Sequence, residues 1–493
     1  MERNCDVCSP FHKKNYFLLL AIDGRTQTFE TDLQVRALNY LLTNSENNLD
    51  FWSNASNRIF QTGNKQVFLW YISEHKKGPL SLELLCESAK NGYLDVLQAF
   101  PLPIQYEYEI YTNAALGGQL EVLQWLKSKQ LSWNQSTCAG AAAGGHLDIL
   151  KWARANGCRW DNSTCSNAAK HGYLEILKWA RENGCEWNYT TCTYAAKYGH
   201  LEILQWAREN GCPWDTAVCS GAAQGGHLTI LKWARENGCS WNMDTCLIAA
   251  TEGHFHILRW ARENGCDWDE RVCQILSLKG NLEALKWARE NGCPWNEIVT
   301  YNAVRKGHLD VLKWTVENGC TLEGNSMWVQ AAKKGHLNVL KWARQNGHEF
   351  GTDICTVAAE GHLNILKWAR ENGCPWDEGT CDVAASCGQL EILIWARANG
   401  CPWKATVISC AAKNGYLDIV KWARENGCEW KSNACYDAAC GGYLNVLKWL
   451  IENGCPFNYS TCCGILSRRP TQKIRSTLQW LKENESKLIN YNT

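Results

Sequence analysis

Cysteine and histidine are the side chains in this sequence with chemistry to offer. There are 28 cysteines and 12 histidines, enough to build a disulfide framework, metal centres or thiol nucleophiles where the spacing permits. The spacing is instead monotonous. Twenty-one cysteines fall into two columns, one running Cys158, Cys185, Cys212 and on to Cys455, the other Cys138, Cys165, Cys192 and on to Cys462. A third column holds His146, His200, His227, His254, His308, His336 and His362. Near the start of the chain, Cys5, Cys8 and His12 have part of a zinc-like spacing without an evident fourth ligand. Asn134, Asn162, Asn188 and Asn458 each open an Asn-x-Ser/Thr triplet.

Columns of this kind call for elements that repeat. The stretch "GYLEILKWARENGCEW", Gly172 to Trp187, recurs with small edits along the chain, and its Trp179 has counterparts from Trp125 to Trp449. The step is 27 residues, apart from one of 28 (Trp314 to Trp342) followed by one of 26 (Trp342 to Trp368). A fixed period in this range marks an array in which each unit touches only its neighbours. A glycine stands seven residues before each of these tryptophans, and a second glycine is expected five residues after each. At helical spacing Leu174, Ile176, Leu177, Trp179 and Ala180 cover most of one helix, leaving Glu175, Lys178 and Glu182 on a narrow wet stripe. The other half of the unit, "TCSNAAKHG", reads as a second short helix: Thr164 is its expected N-cap, Ala168 and Ala169 allow close approach, and Gly172 suits a left-handed end. Two short helices per unit follow, with the indoles expected to be buried between units.

The segment "AAKYGHLEILQWARENGCPWD", Ala195 to Asp215, resembles the ankyrin repeat, in which a Thr-led helix ends in Ala-Ala, two variable residues and Gly-His-Leu-Glu. The period is shorter than the 33 residues usual there, Thr-Cys replaces the Thr-Pro-Leu-His opening, and Trp stands where smaller apolar residues are common. The resemblance covers about residues 56 to 480 and implies an all-α fold: an ankyrin-type α-solenoid of stacked helix-turn-helix repeats with its projecting hairpin cut short. The Trp- and Cys-rich form is similar to ankyrin sets of giant viruses of amoebae and some protists, which would place the chain in a host cytoplasm.

With the period in hand, reactive readings lose ground. Equivalent positions on stacked helical units lie about 8–10 Å apart, beyond the ~7 Å Cα separation a disulfide spans, so cysteines cannot bond down a column. The spacing leaves a bridge between columns open, but buried thiols in a reducing compartment behave as small hydrophobes, and packing is the expected role. Tyr173, Gln119 and Asn281 take the histidine position in other units, an exchange no metal ligand tolerates. The Asn-x-Ser/Thr triplets fit helix-start chemistry. There is no Gly-rich phosphate loop, nucleophile elbow or His-Glu-x-x-His. No catalytic residue, metal ligand or cofactor is expected.

Basic and acidic residues balance at 50 each, which disfavours nucleic acid and membrane surfaces as general partners. No apolar run reaches the ~18 residues of a spanning helix. The apolar run Tyr16 to Ile22 lacks a leader's cleavage site, so an intracellular, cytoplasmic monomer is expected. We divide the chain into an N-terminal helical cap at residues 1–55, degenerate repeats at 56–111, regular repeats at 112–458, and a divergent last repeat with C-terminal cap at 459–493. Segments resembling the F-box recruit ubiquitin ligases in some viral ankyrin proteins. Residues 1–55 would offer that adaptor role, though the usual Leu-Pro opening is missing.

Variable residues inside a repeated sentence are those that packing does not dictate. In ankyrin proteins the two residues between Ala-Ala and Gly line the concave binding face. The resemblance places Lys170, His171, Lys197, Tyr198, Thr251, Glu252, Leu278, Lys279, Arg305, Lys306, Lys333, Lys334, Lys413 and Asn414 there. The central group is strongly basic and is expected to engage an acidic segment of a partner protein, with nucleic acid the lesser alternative.

Overall fold

A computed structural model describes residues 82–100, 102, 107–322, 324–430, 433–466, 472–485 and 488. Among them are thirty helices and no strand. The expectations for residues 1–55, including Cys5, Cys8 and His12, lie outside the described residues, as does the part of the degenerate repeats before residue 82.

One repeat shows how the sequence makes the rest. Its first helix, Asn162–His171, is followed after two residues by the second, Leu174–Glu182. The start is capped by Asp161, whose carboxylate accepts from the Ser163 amide at 3.0 Å. Asn134, Asn188, Asp215, Asn242, Asp269 and Asp377 do the same in other repeats. This corrects the assignment of the cap to Thr164. That threonine lies three residues further on, fully buried in the first turn, where its hydroxyl has no well-formed hydrogen bond. The short, acceptor-bearing Asx side chain reaches the second amide of the helix more directly. Of the Asn-x-Ser/Thr triplets, those at Asn134 and Asn188 begin on cap residues, whereas Asn162 follows its cap.

The two glycines of the repeat do different work. Gly172 ends the first helix at φ +86°, and a Cβ there would meet His200 Cε1 at 2.7 Å. Gly184 ends the second at φ +82° with nothing within 4 Å of a Cβ, so only its backbone angle asks for glycine. The second glycine is not universal as expected: Gln130 takes its place after Trp125, and holds φ 56° without it.

Each second helix buries one narrow face, in this repeat Ile176, Leu177 and Ala180, which corrects the expectation of an apolar surface over most of the helix: Leu174 and Trp179 are only half-buried. Most first helices bury an Ala pair, here Ala168 and Ala169 at 0% exposure, and within each unit a first helix packs directly against the first helix of the next repeat. The absence of side-chain bulk beyond Cβ permits that approach. Two compact units result, divided after Asp267. In both, the expectation of buried indoles needs correction. Trp179, Trp206 and most of their counterparts are half-buried, and Trp328, 2% exposed, is the one tryptophan in the core among the described residues.

Candidate interaction surface

The connector after each second helix carries the half-buried indoles in a fixed stack. Arg208 Nη1 donates to Cys212 O at 2.5 Å, and its guanidinium lies over Trp214, 4.1 Å from the ring centroid. Trp214 in turn meets the edge of Trp233 from the following repeat, with centroids 5.9 Å apart at 68°. The same Arg–Trp–Trp arrangement recurs at Arg181, Trp187 and Trp206, and at Arg397, Trp403 and Trp422. Each such contact adds roughly 0.5–1.5 kcal/mol beyond area. Solvent reaches one side of the rings, so the arginine covers what the next repeat does not.

Beneath this stack the two cysteine columns meet. Cys165 and Cys185 of one repeat are both fully buried, and their thiols act on one another. So do those of Cys138 and Cys158, Cys192 and Cys212, and, in the second unit, Cys273 and Cys293, Cys381 and Cys401, Cys435 and Cys455. The loop cysteine also donates to the carbonyl of its repeat's cap residue, Cys185 Sγ to Asp161 O at 3.3 Å. The thiol therefore ties the end of the second helix to the start of the first. Pairing and burial push the Cys165 thiol up, while the contact with Cys165 draws Cys185 down, aided by the Arg181 charge.

Histidines hold the other end of the first helices. With its ring over the preceding glycine, His200 donates from Nε2 to Lys170 O at 3.2 Å. His308, His336 and His362 reach Leu278 O, Arg305 O and Lys333 O in the same way, at 3.2, 3.1 and 3.0 Å. Two of the replacements now have a physical reason. Tyr173 covers Gly145, and Gln119 donates its amide to Lys90 O at 3.2 Å, whereas Asn281 caps its own helix, accepting from the Ala284 amide at 3.0 Å.

These histidine bonds fix the carbonyls of the very residues singled out as a binding strip. The strip's side chains sit at the carboxyl ends of successive first helices and are exposed or half-exposed. In the first unit several are already engaged. Lys170 and Lys197 both lie over the Tyr198 ring, at 5.5 and 5.7 Å, and Tyr194 meets that ring edge-on. Thr251 donates to Leu247 O, beside exposed Glu252, and His171 is exposed at its helix end. In the second unit Lys279, Arg305, Lys306 and Lys334 are exposed and form no ion pair with another described residue. Lys333 differs, because its ammonium lies 3.0 Å from Glu360. Glu360 was missed: in the repeat shortened to 26 residues, Ala358-Ala359-Glu360-Gly361 leaves one residue between Ala-Ala and Gly. Aligning that repeat on its glycine would have found it. Further along, Lys413 and Asn414 are exposed, Asn414 bonding back to Cys410 O at 2.9 Å.

Among the described residues no group of three or more His, Cys, Asp or Glu side chains is placed to hold a metal ion, and no helix is long and apolar enough to cross a membrane. The comparisons with known proteins follow from these repeats. Among solved structures the chain is similar to the human ASB11 ankyrin repeat domain, at 18% identity over 32% of this chain and 84% of that one, with a TM-score of 0.28. It is also similar to the pentatricopeptide repeat protein PPR10 from maize, at 13% identity over 99% and 100% of the two chains, with a TM-score of 0.28. No curated protein sequence matches it. Family profiles described as ankyrin repeats, one of many copies and one of three copies, match residues 165–208 and 381–461. The matched segments hold the paired helices and glycine ends described above, and over them the chain consists of ankyrin repeats.

Proposed function

We propose that the chain is a non-enzymatic scaffold that binds a partner protein along the carboxyl ends of its first helices. Ankyrin repeats are generally protein–protein interaction modules, and a regular array of short helices offers a long open edge in place of an enclosed reaction chamber. The observation that carries the reading is the row of exposed, unpaired cations Lys279, Arg305, Lys306 and Lys334 on successive first helices of the second unit. Part of that charge complements the helix ends, which favour cations whatever the partner. The rest is free to meet an acidic segment, and Lys333 would join once a partner carboxylate competes with Glu360.

The test is a pull-down from cells of the native source with the parent chain and with a Lys306→Glu, Lys334→Glu variant, repeated in the presence of a synthetic Glu-rich peptide. Partners lost by charge reversal and displaced by the peptide support the strip. Undiminished recovery with the variant removes it. Binding of a single-stranded oligonucleotide that falls steeply with salt and is lost in the same variant would assign the strip to nucleic acid instead.

A further inference from the structure

We propose that the paired thiols are a redox modification site: hydroperoxides convert the cysteine pair of a repeat into a disulfide that staples the start of its first helix to the connector after its second. The geometry supplies the pairing. Cys165 and Cys185 are buried free thiols, and Cys185 Sγ lies 3.3 Å from the carbonyl of Asp161, the residue that caps the helix holding Cys165; in another repeat Cys273 Sγ lies 4.0 Å from Cys293 O, which puts the two cysteines against one another. Each bond would lie inside one repeat, so the column spacing that forbids bridges between repeats does not oppose it.

The two thiols are unequal. The loop cysteine lies against its partner thiol and near an arginine, which favours its thiolate, whereas the helix cysteine is held protonated. Cys185 also follows Gly184 directly in a turn whose other residues, Glu182, Asn183, Gly184 and Glu186, are exposed, so a brief lifting of the connector admits a small oxidant. The Cys185 thiolate then attacks one peroxide oxygen and the O–O bond breaks. The departing oxygen takes a proton to leave as water, and Cys185 becomes a sulfenic acid. Cys165 gives up its proton and attacks the sulfenic sulfur. The S–O bond breaks, the released hydroxide takes up that proton, and the S–S bond forms. Overall two thiols and one hydrogen peroxide give one disulfide and two waters.

The chain contains its own control. In the shortened repeat Cys355 and Cys374 are nineteen residues apart, both are buried, and Cys374, unlike Cys185, makes no hydrogen bond to the carbonyl at its repeat's cap position.

The experiment titrates the reduced full-length chain with hydrogen peroxide under native conditions, blocks free thiols with N-ethylmaleimide and maps linked tryptic peptides by mass spectrometry. Links joining Cys165 to Cys185, Cys192 to Cys212 and Cys273 to Cys293 should accumulate first, with Cys355–Cys374 trailing, all reversed by dithiothreitol. The oxidised chain should melt several degrees above the reduced one, since each link closes a loop in the unfolded chain. Links scattered between repeats, irreversible oxidation of single cysteines, equal yield at Cys355–Cys374 or a lower melting temperature would each overturn the proposal. A Cys165→Ala chain should retain a dimedone-trapped sulfenic acid at Cys185. If the trap labels Cys165 in Cys185→Ala but not Cys185 in Cys165→Ala, the attacking thiol is misassigned. The linkage map of the unaltered chain does not depend on either variant folding.

Discussion

The repeats between Asn134 and Cys266 and the stretch from Glu297 to Gly361 solve the same packing problem with different residues. In the first, Asx side chains cap the first helices, cysteines pair behind the connectors, and a loop tryptophan stacks between arginine and the next indole. In the second, Asn325 has no capping bond, Val316 stands in the arginine's place, and Leu322 replaces the loop tryptophan. The missing ring reappears inside: Trp328 and His348 occupy the positions of the thiol pair, 4.9 Å apart, with Phe350 against Trp368 at 6.0 Å. What each repeat needs is a filled volume between the start of its first helix and its connector. Two thiols or an indole against an imidazole both fill it. The exposed ends diverge as well: Lys170 and Lys197 lie over Tyr198 in the regular stretch, whereas Arg305, Lys306 and Lys334 form no ion pair with a described residue in the irregular one.

If bulk has moved from surface to core, the cost of removing it should follow. Trp328→Ala should lose about 3–5 kcal/mol in urea denaturation, the usual range for a fully buried ring. Trp206→Ala, half-exposed, should lose roughly 1–2 kcal/mol by its smaller buried area; equal losses would erase the distinction. The glycines give a smaller contrast. Gly184→Ala should cost about 1 kcal/mol for its left-handed backbone alone, and Gly172→Ala more, because the added methyl meets His200. Truncating His200 to alanine in the Gly172→Ala chain should recover that excess, which thermal melts of the four chains will show. The caps differ least. Asp161→Ala should cost about 1 kcal/mol, while Gly351→Asn, which gives a side chain to a cap position that has none, should gain a few tenths.

Much of the fold was legible because the same signals were written many times over. Glycines at both helix ends, the Ala pairs and the 27-residue step all describe local backbone geometry, which neighbouring residues dictate. The cap was misread since Thr164 and Asp161 both suit a helix start, and only the backbone decides which acceptor faces the amides. The proposed strip was legible as helix-end positions but not in the contacts its side chains make. Lys333 and Lys170 are spelled like their free neighbours, yet Glu360 and Tyr198 come from adjacent repeats to meet them.

The sequence by itself determined the repeat, its two helices and the glycines that end them, because period, propensity and end residues act within a few residues of one another. Only the tertiary structure decided that the two cysteine columns touch, that histidines hold the helix ends of the strip, and that the indoles stay half in water. Those contacts join residues twenty to thirty apart, and their outcome rests on how closely neighbouring helices approach, a distance that no single repeat encodes.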